Sequence, residues 1–203
     1  MNIDFAQYTE SDIYFLMTQA IIPRPVAWVM TQNIGGNYNL APFSYFTPVS
    51  SEPPLVLFSV GDKAAGQQKD TTRNFLREKH CVIHIASETQ LNALNQSSAN
   101  LPYGTSEITE NQLVLENWPE ANTLRLADAP LAMACELYRH DVIGEGGQHI
   151  FYAQVKHLFV ADNCIDNKNG RLQINSQAVA PVARLGAGEY AALGERHRLK
   201  RPD

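Results

Sequence analysis

Apolar residues along this chain gather in runs of strand length, and few stretches repeat them at helical spacing. Residues 26–31 read as a strand, Gly35-Gly36-Asn37 supplies a turn, and the chain returns through 38–40. Residues 43–49 continue extended until Ser51-Glu52-Pro53-Pro54 breaks them, and 55–60 form an apolar run ended by Gly61. Residues 81–86 are a further strand. The clearest hairpin pairs 131–143 with 149–162 around Gly144-Glu145-Gly146-Gly147. Helical pattern is confined to short pieces. Ser11 or Asp12 caps 13–20, which Ile21-Ile22-Pro23-Arg24-Pro25 then stops. Asp70 caps 71–79, with Phe75 and Leu76 on the apolar side, and Ser87-Glu88-Thr89-Gln90 is a capping box opening a helix to about 97. Residues 99–128 read as loops with one short strand near 112–115, and the tail 181–201 carries a short helix at 189–193. Six to eight strands, joined mainly as hairpins with helices between them, disfavour a doubly wound parallel sheet. A small closed or half-closed antiparallel barrel with peripheral helices, mainly β, fits better.

Composition narrows the function classes. The 203 residues suit one domain over 1–203, with 44% hydrophobic and 18% charged residues in an ordinary globular balance. Net charge is −5 and no dense Lys/Arg block occurs, so no nucleic-acid partner is expected. The apolar runs are too short to span a membrane, and the polar, acidic start does not read as a secretory signal. Cys81, Cys135 and Cys164 lie far apart without a CxxC pair, which points to free thiols in a reducing, cytoplasmic setting.

Most catalytic signatures are missing: no GxSxG elbow, Walker loop or HExxH appears. Gly144 to Gly147 falls in a hairpin turn rather than between strand and helix, so a dinucleotide-binding reading fails. His80 and His84 are four apart, but on a strand that spacing does not converge on a metal. His140 and His149 face each other across the long hairpin, and two imidazoles alone do not make a metal site. Lys69-Asp70-Thr71-Thr72-Arg73-Asn74 places a cation and hydroxyls at a helix start, where free amides attract anions. On that segment alone, a plain N-cap with a solvated basic neighbour is the better reading.

Several segments in order change that balance. They are Pro23-Arg24-Pro25-Val26-Ala27-Trp28-Val29, Asn39-Leu40-Ala41-Pro42-Phe43-Ser44-Tyr45-Phe46, Val49-Ser50-Ser51-Glu52-Pro53-Pro54-Leu55-Val56 and Lys69-Asp70-Thr71. Gly147-Gln148-His149-Ile150-Phe151 follows, then Pro181-Val182-Ala183-Arg184-Leu185-Gly186, Tyr190 and Leu199-Lys200-Arg201-Pro202. Together, over about residues 12–202, they resemble the flavin reductase-like family, which has the FMN-binding split β-barrel fold and includes flavoredoxin-type proteins.

The resemblance implies that a flavin ring lies along Asn39, Ala41, Pro42, Phe43 and Ser44, with main-chain groups reaching its polar edge. Pro42 stiffens that strand, Ala41 permits close approach and Ser44 offers a donor and an acceptor. The phosphate maps onto Lys69, Thr71 and Thr72 with Ser59, and Arg24 is a further candidate for phosphate or ring edge. His149 resembles the family histidine on the nicotinamide side, with Gln148 in place of the usual acid. Arg184 and Tyr190 resemble tail residues that fold over the active site, from their own or a partner subunit. The implied protein is an FMN-binding oxidoreductase, an NAD(P)H-dependent flavin reductase working with NADH or NADPH. The alternatives are a flavoredoxin-like carrier fed by a redox partner protein and an FMN-binding module without turnover. A homodimer is expected, because a half-open barrel leaves sheet edges and Phe43-Ser44-Tyr45-Phe46 suits an interface.

Overall fold

The first helix, α1 (Glu10–Ala20), starts where a reciprocal capping box places it. The Thr9 hydroxyl accepts from the Asp12 amide, and the Asp12 carboxylate accepts from the Thr9 amide. The cap is therefore Thr9, not Ser11 or Asp12, because Asp12 is the box's third-position partner. In this computed structural model, residues 1–63, 66–145, 147–168 and 170–202 are described, 167 and 168 by backbone only. The centre of the expected 144–147 turn, at 146, lies outside them.

After α1 come β1 (Arg24–Pro25), β2 (Ala27–Gln32), β3 (Tyr38–Phe43), β4 (Phe46–Ser51) and β5 (Pro54–Gly61). Helix α2 (Asp70–Glu78) leads into β6 (His80–Ile85), followed by α3 (Leu91–Gln96) and α4 (Glu107–Glu110). A small hairpin, β7 (Leu115–Trp118) and β8 (Thr123–Leu126), precedes the long one, β9 (Leu131–Ile143) and β10 (Gln148–Val160). The chain ends through β11 (Ile165–Lys168), β12 (Arg171–Ile174), α5 (Ser176–Val179), β13 (Ala183–Arg184) and β14 (Tyr190–Ala191). Seven of these strands form one antiparallel sheet in the order β3-β2-β6-β9-β10-β5-β4. It is the antiparallel barrel with peripheral helices that the pattern called for, in the split form that the resemblance implied.

Both faces of β2 are buried, and alternation sorts its side chains into two cores. Ala27 and Val29 face a barrel interior filled by Phe58, Phe75 and Phe151, whose rings pack with centroids 5.2–5.8 Å apart. Trp28 and Met30 face an outer core closed by α3, α4 and the β7–β8 hairpin through Leu94, Ile108, Trp118 and Leu126. The Trp28 indole N–H donates to Ser97 Oγ at 2.9 Å, which ties the end of α3 to the sheet. His84 lies in the same layer. The Leu126 amide donates to its Nε2 at 3.0 Å, so Nδ1 carries the proton and donates to Trp28 O at 3.2 Å. His80 is exposed, and the two imidazoles do not meet.

Three local readings are corrected. The stretch 99–128 is not loop with one strand: it holds α4 and the β7–β8 hairpin, four-residue strands too short to show a period. Asn122, at φ 48°, makes the turn between them. The tail forms no helix at 189–193. Residues 186–189 make a tight turn with Gly188 at φ 88°, and β13 and β14 complete a ribbon on β1. Gly186 is needed where that ribbon meets α1, since a Cβ there would come within 2.2 Å of Gln19 Cγ. The cap of α2 is Lys69, because Asp70 is itself the first helical residue.

Candidate functional site

A cleft of about 380 Å³ opens beside the link from β3 to β4, between Pro42 to Tyr45 and residues of β5, β10 and the tail. A smaller lobe of about 70 Å³ runs on from it towards α2 and shares Pro42, Phe43, Lys69 and Ser98 with it.

Strand β3 is an outer strand of the sheet, so every second residue turns its main-chain groups off the edge. At the first half of that edge the groups are taken. Ser106 Oγ donates to Tyr38 O at 2.6 Å, and the Leu40 amide donates to Glu107 Oε2 at 2.9 Å. Burial raises the Glu107 carboxyl pKa, while the Leu40 bond pulls it down. The same parity gives the second half to Pro42, which has no N–H, and to Ser44. Both line the cleft, beside the ring of Phe43. The α4 start thus covers one half of the edge and leaves the other half facing the cleft.

The smaller lobe has the character of an anion site. Lys69 stands at the N-cap of α2 without a side-chain cap bond, so the first-turn amides are left to an outside acceptor. Among the described residues Lys69 makes no ion pair; its ammonium lies 5.7 Å from the Phe43 ring centroid. Burial first, and then the charge of Lys63, lower its pKa, against the pull of Asp62. Asn39 Nδ2 donates to Thr71 Oγ1 at 3.0 Å, so Thr71 accepts there and keeps its own proton to donate. Asp70 does not compete, because Gly104 N–H and Lys63 Nζ hold its oxygens at 3.1 and 3.3 Å.

Of the residues expected to serve a cofactor, Pro42, Phe43, Ser44, Ser59, Lys69, Arg184 and Tyr190 line the larger cleft. Asn39, Ala41 and Thr71 line the smaller lobe. The Arg184 guanidinium stacks on Tyr190, 4.4 Å from the ring centroid, and both come from the chain's own tail. Three candidates are placed otherwise. Arg24 is buried beneath the cleft and donates to Thr18 O, to Ile21 O at 2.7 Å, to Leu185 O at 3.0 Å and to Ser44 Oγ at 3.3 Å. Thr72 is fully buried, its hydroxyl without a partner among the described residues. His149 is 4% exposed and turned to the barrel interior, while its neighbour Gln148 lines the cleft and donates to Ser59 Oγ.

Sequence reasoning passed over Asp62, Ser98, Glu107, Tyr14 and Tyr45, all on the walls. Asp62 carries no pattern beyond following a strand-ending Gly61. Glu107 was legible only as the acid after Ser106, whose hydroxyl caps α4.

A split antiparallel barrel with this cleft on its outer strand has the architecture of the flavin reductase-like proteins. The chain belongs to that family: the flavin reductase like domain matches residues 18–175. It is similar to nitrilotriacetate monooxygenase component B from Bacillus cereus, at 35% identity over 98% of both chains with a TM-score of 0.90. The 2-nitrobenzoate 2-nitroreductase NbaA of Pseudomonas fluorescens is 25% identical over all of this chain and 96% of its own, with a TM-score of 0.89. The protein YwrF of Bacillus subtilis is 32% identical over 97% of this chain and 96% of its own.

Proposed function

We propose that the chain is one FMN-binding domain over 1–203, working in the cytoplasm as an NAD(P)H-dependent flavin reductase. The observation that carries this reading is the unpaired Lys69 at an uncapped helix start, beside the donor-ready Thr71. That trio suits a phosphate dianion, and the wider lobe beside the open half of β3 suits a flat ring with polar edges. Lys69, Thr71 and the first-turn amides of α2 hold the phosphate. Pro42, Phe43 and Ser44 seat the ring, with Ser59 and Gln148 at its side and Arg184 and Tyr190 over the mouth. The flavin, when bound, supplies the hydride chemistry; the protein positions it and limits water. The relative at 35% identity is one component of a monooxygenase, which supports a role in passing reducing equivalents to a redox partner protein.

The active form is a homodimer. Tyr14, Phe15, Ile21, Ile22 and Val49 are each about half exposed or more, and Tyr14 packs 6.2 Å from Tyr45, both on the wall of the cleft. Titrating apoprotein with FMN, followed by stopped-flow reduction with NADH and with NADPH, tests the reading. One FMN per chain, bleached by one of the two, is expected. No flavin quenching at micromolar FMN refutes it. Sedimentation equilibrium at tens of micromolar decides the dimer, and a single-chain mass refutes it.

A further inference from the structure

Next to the cleft lies a chain of three titratable side chains that cofactor binding does not use. Asp62 follows Gly61 at the end of β5 and lines the cleft. Its Oδ1 is buried, 3.2 Å from His149 Nε2, and no well-aligned hydrogen bond reaches it among the described residues. Behind His149, the partly exposed His140 brings Nε2 to 2.8 Å from His149 Nδ1, the two rings 11° from parallel. The nitrogens meet each other rather than a shared point, so the trio does not form a cation site. Gly147 locks the arrangement from above: at φ 66° it carries no Cβ, and one there would lie 2.3 Å from Asp62 Oδ2.

A carboxylate only accepts, so a proton passing along this chain leaves His149 from Nε2 towards Asp62. Nδ1 of the neutral ring then accepts, and His140 Nε2 is the donor. We propose that His140, His149 and Asp62 form a proton relay from outer water to the wall of the cleft. The proposal rests on the flavin-reductase reading. There NAD(P)H, FMN and one proton give NAD(P)⁺ and FMNH₂: the hydride brings two electrons and one hydrogen, and the second proton comes from water. Water protonates His140 Nδ1 as its Nε2 proton passes to His149 Nδ1. The His149 Nε2 proton passes to Asp62, which releases it into the cleft. Each group regains its charge, and the rings return by tautomer exchange.

The surroundings favour an uncharged His140 ring at rest. Burial, then the neighbouring His149, lower the His140 pKa; Asp141 opposes this and Lys79 adds to it. On the cleft side Lys69 faces Asp62.

The first arm of the test uses apoprotein, so it does not depend on flavin. Nitrogen-15 NMR of the histidine rings is expected to show His149 protonated at Nε2. Asp62→Asn should move the resonances of both His149 and His140 and leave His84 in place. A His149 protonated only at Nδ1, or a His140 that ignores Asp62→Asn, overturns the relay. The second arm uses FMN-loaded protein. His140→Ala should slow reduction by NADH roughly ten- to a hundredfold with FMN affinity unchanged, and added imidazole should restore the rate. His140→Gln keeps a hydrogen-bond donor but transfers no proton, so it should be equally slow. A wild-type rate in His140→Gln, or a slow His140→Ala that imidazole does not rescue, overturns the relay. Failure of FMN to bind at all would refute the function and leave the NMR arm to decide the chain.

Discussion

Two cations were drawn by the sequence towards the same anionic ligand, and the fold treats them oppositely. Arg24, under the floor of the cleft, spends its guanidinium on three carbonyls and one hydroxyl of its own chain. Lys69, between the two lobes, has no ion pair among the described residues and no cap to serve. Arg24 is buried and Lys69 partly so, but burial alone does not separate them. What separates them is whether the protein has already answered the charge. Arg24 ties the end of α1 to the tail, whereas the Lys69 charge has no carboxylate or carbonyl partner among the described residues.

The largest expected effect lies on the answered side. Arg24→Ala leaves the buried Thr18 carbonyl without its donor at about 1–3 kcal/mol and the part-buried Ile21 and Leu185 carbonyls at about 1 kcal/mol each, so chemical denaturation should show a loss of about 3–5 kcal/mol. The ratio of FMN to riboflavin affinity should stay as it was, and a selective loss of FMN would put the phosphate on Arg24 instead. His84 is answered in the same way, and acid should expose it. Burial lowers its pKa from 6.5 to about 4, opposed by the bond to Trp28 and aided by Arg125. Between those values the unfolded imidazole holds a proton that the native one refuses. Stability is therefore full above about pH 6.5 and should fall by about 3 kcal/mol towards pH 4. His84→Gln should flatten that slope in urea melts taken across the range.

On the open side, Lys69→Ala with Thr71→Val should weaken FMN roughly ten- to a hundredfold, about 1.5–3 kcal/mol, with riboflavin almost unmoved. Equal loss of both flavins would place the phosphate elsewhere. The smallest effect is in alkali. The lowered pKa of Lys69 means its charge, and with it the preference for FMN over riboflavin, should fade at a lower pH than a free lysine would lose it. Flavin fluorescence titrations along an alkaline pH series would read it, and a preference lost only where a free lysine titrates would mean an ordinary, solvated lysine.

The split between answered and open groups sets how far the sequence could be read. Long elements were plain: 131–143 is β9 as expected, and β10 ends two residues short of the run read from 149. Their periods extend over enough residues to be unambiguous. The β7–β8 hairpin and the β13–β14 ribbon stayed hidden, because four- and two-residue strands are made by tertiary pairing rather than by their own pattern. Within the candidate site, Pro42, Ser44, Lys69 and Thr71 were marked by the family resemblance, and their chemical types agreed with it without being enough alone. No local signal tells Arg24 from Lys69, since the carbonyls of Thr18, Ile21 and Leu185 converge only once the tail has closed on α1. The same holds for His149, whose partners come from β9 and from the end of β5.

The half-covered edge of β3 carries one more consequence, for the behaviour of the protein at high concentration. A bare outer strand is a template on which another chain can add, and repetition of that step leads to insoluble fibres. Here Glu107 occupies the Leu40 amide, and at the next outward position Pro42 has none to give. An incoming strand would find no ladder of donors to register against, although the strip stays accessible to a small molecule. Replacing Pro42 with Ala would restore the missing donor, so the residue that shapes the cleft also guards the chain against self-templated aggregation.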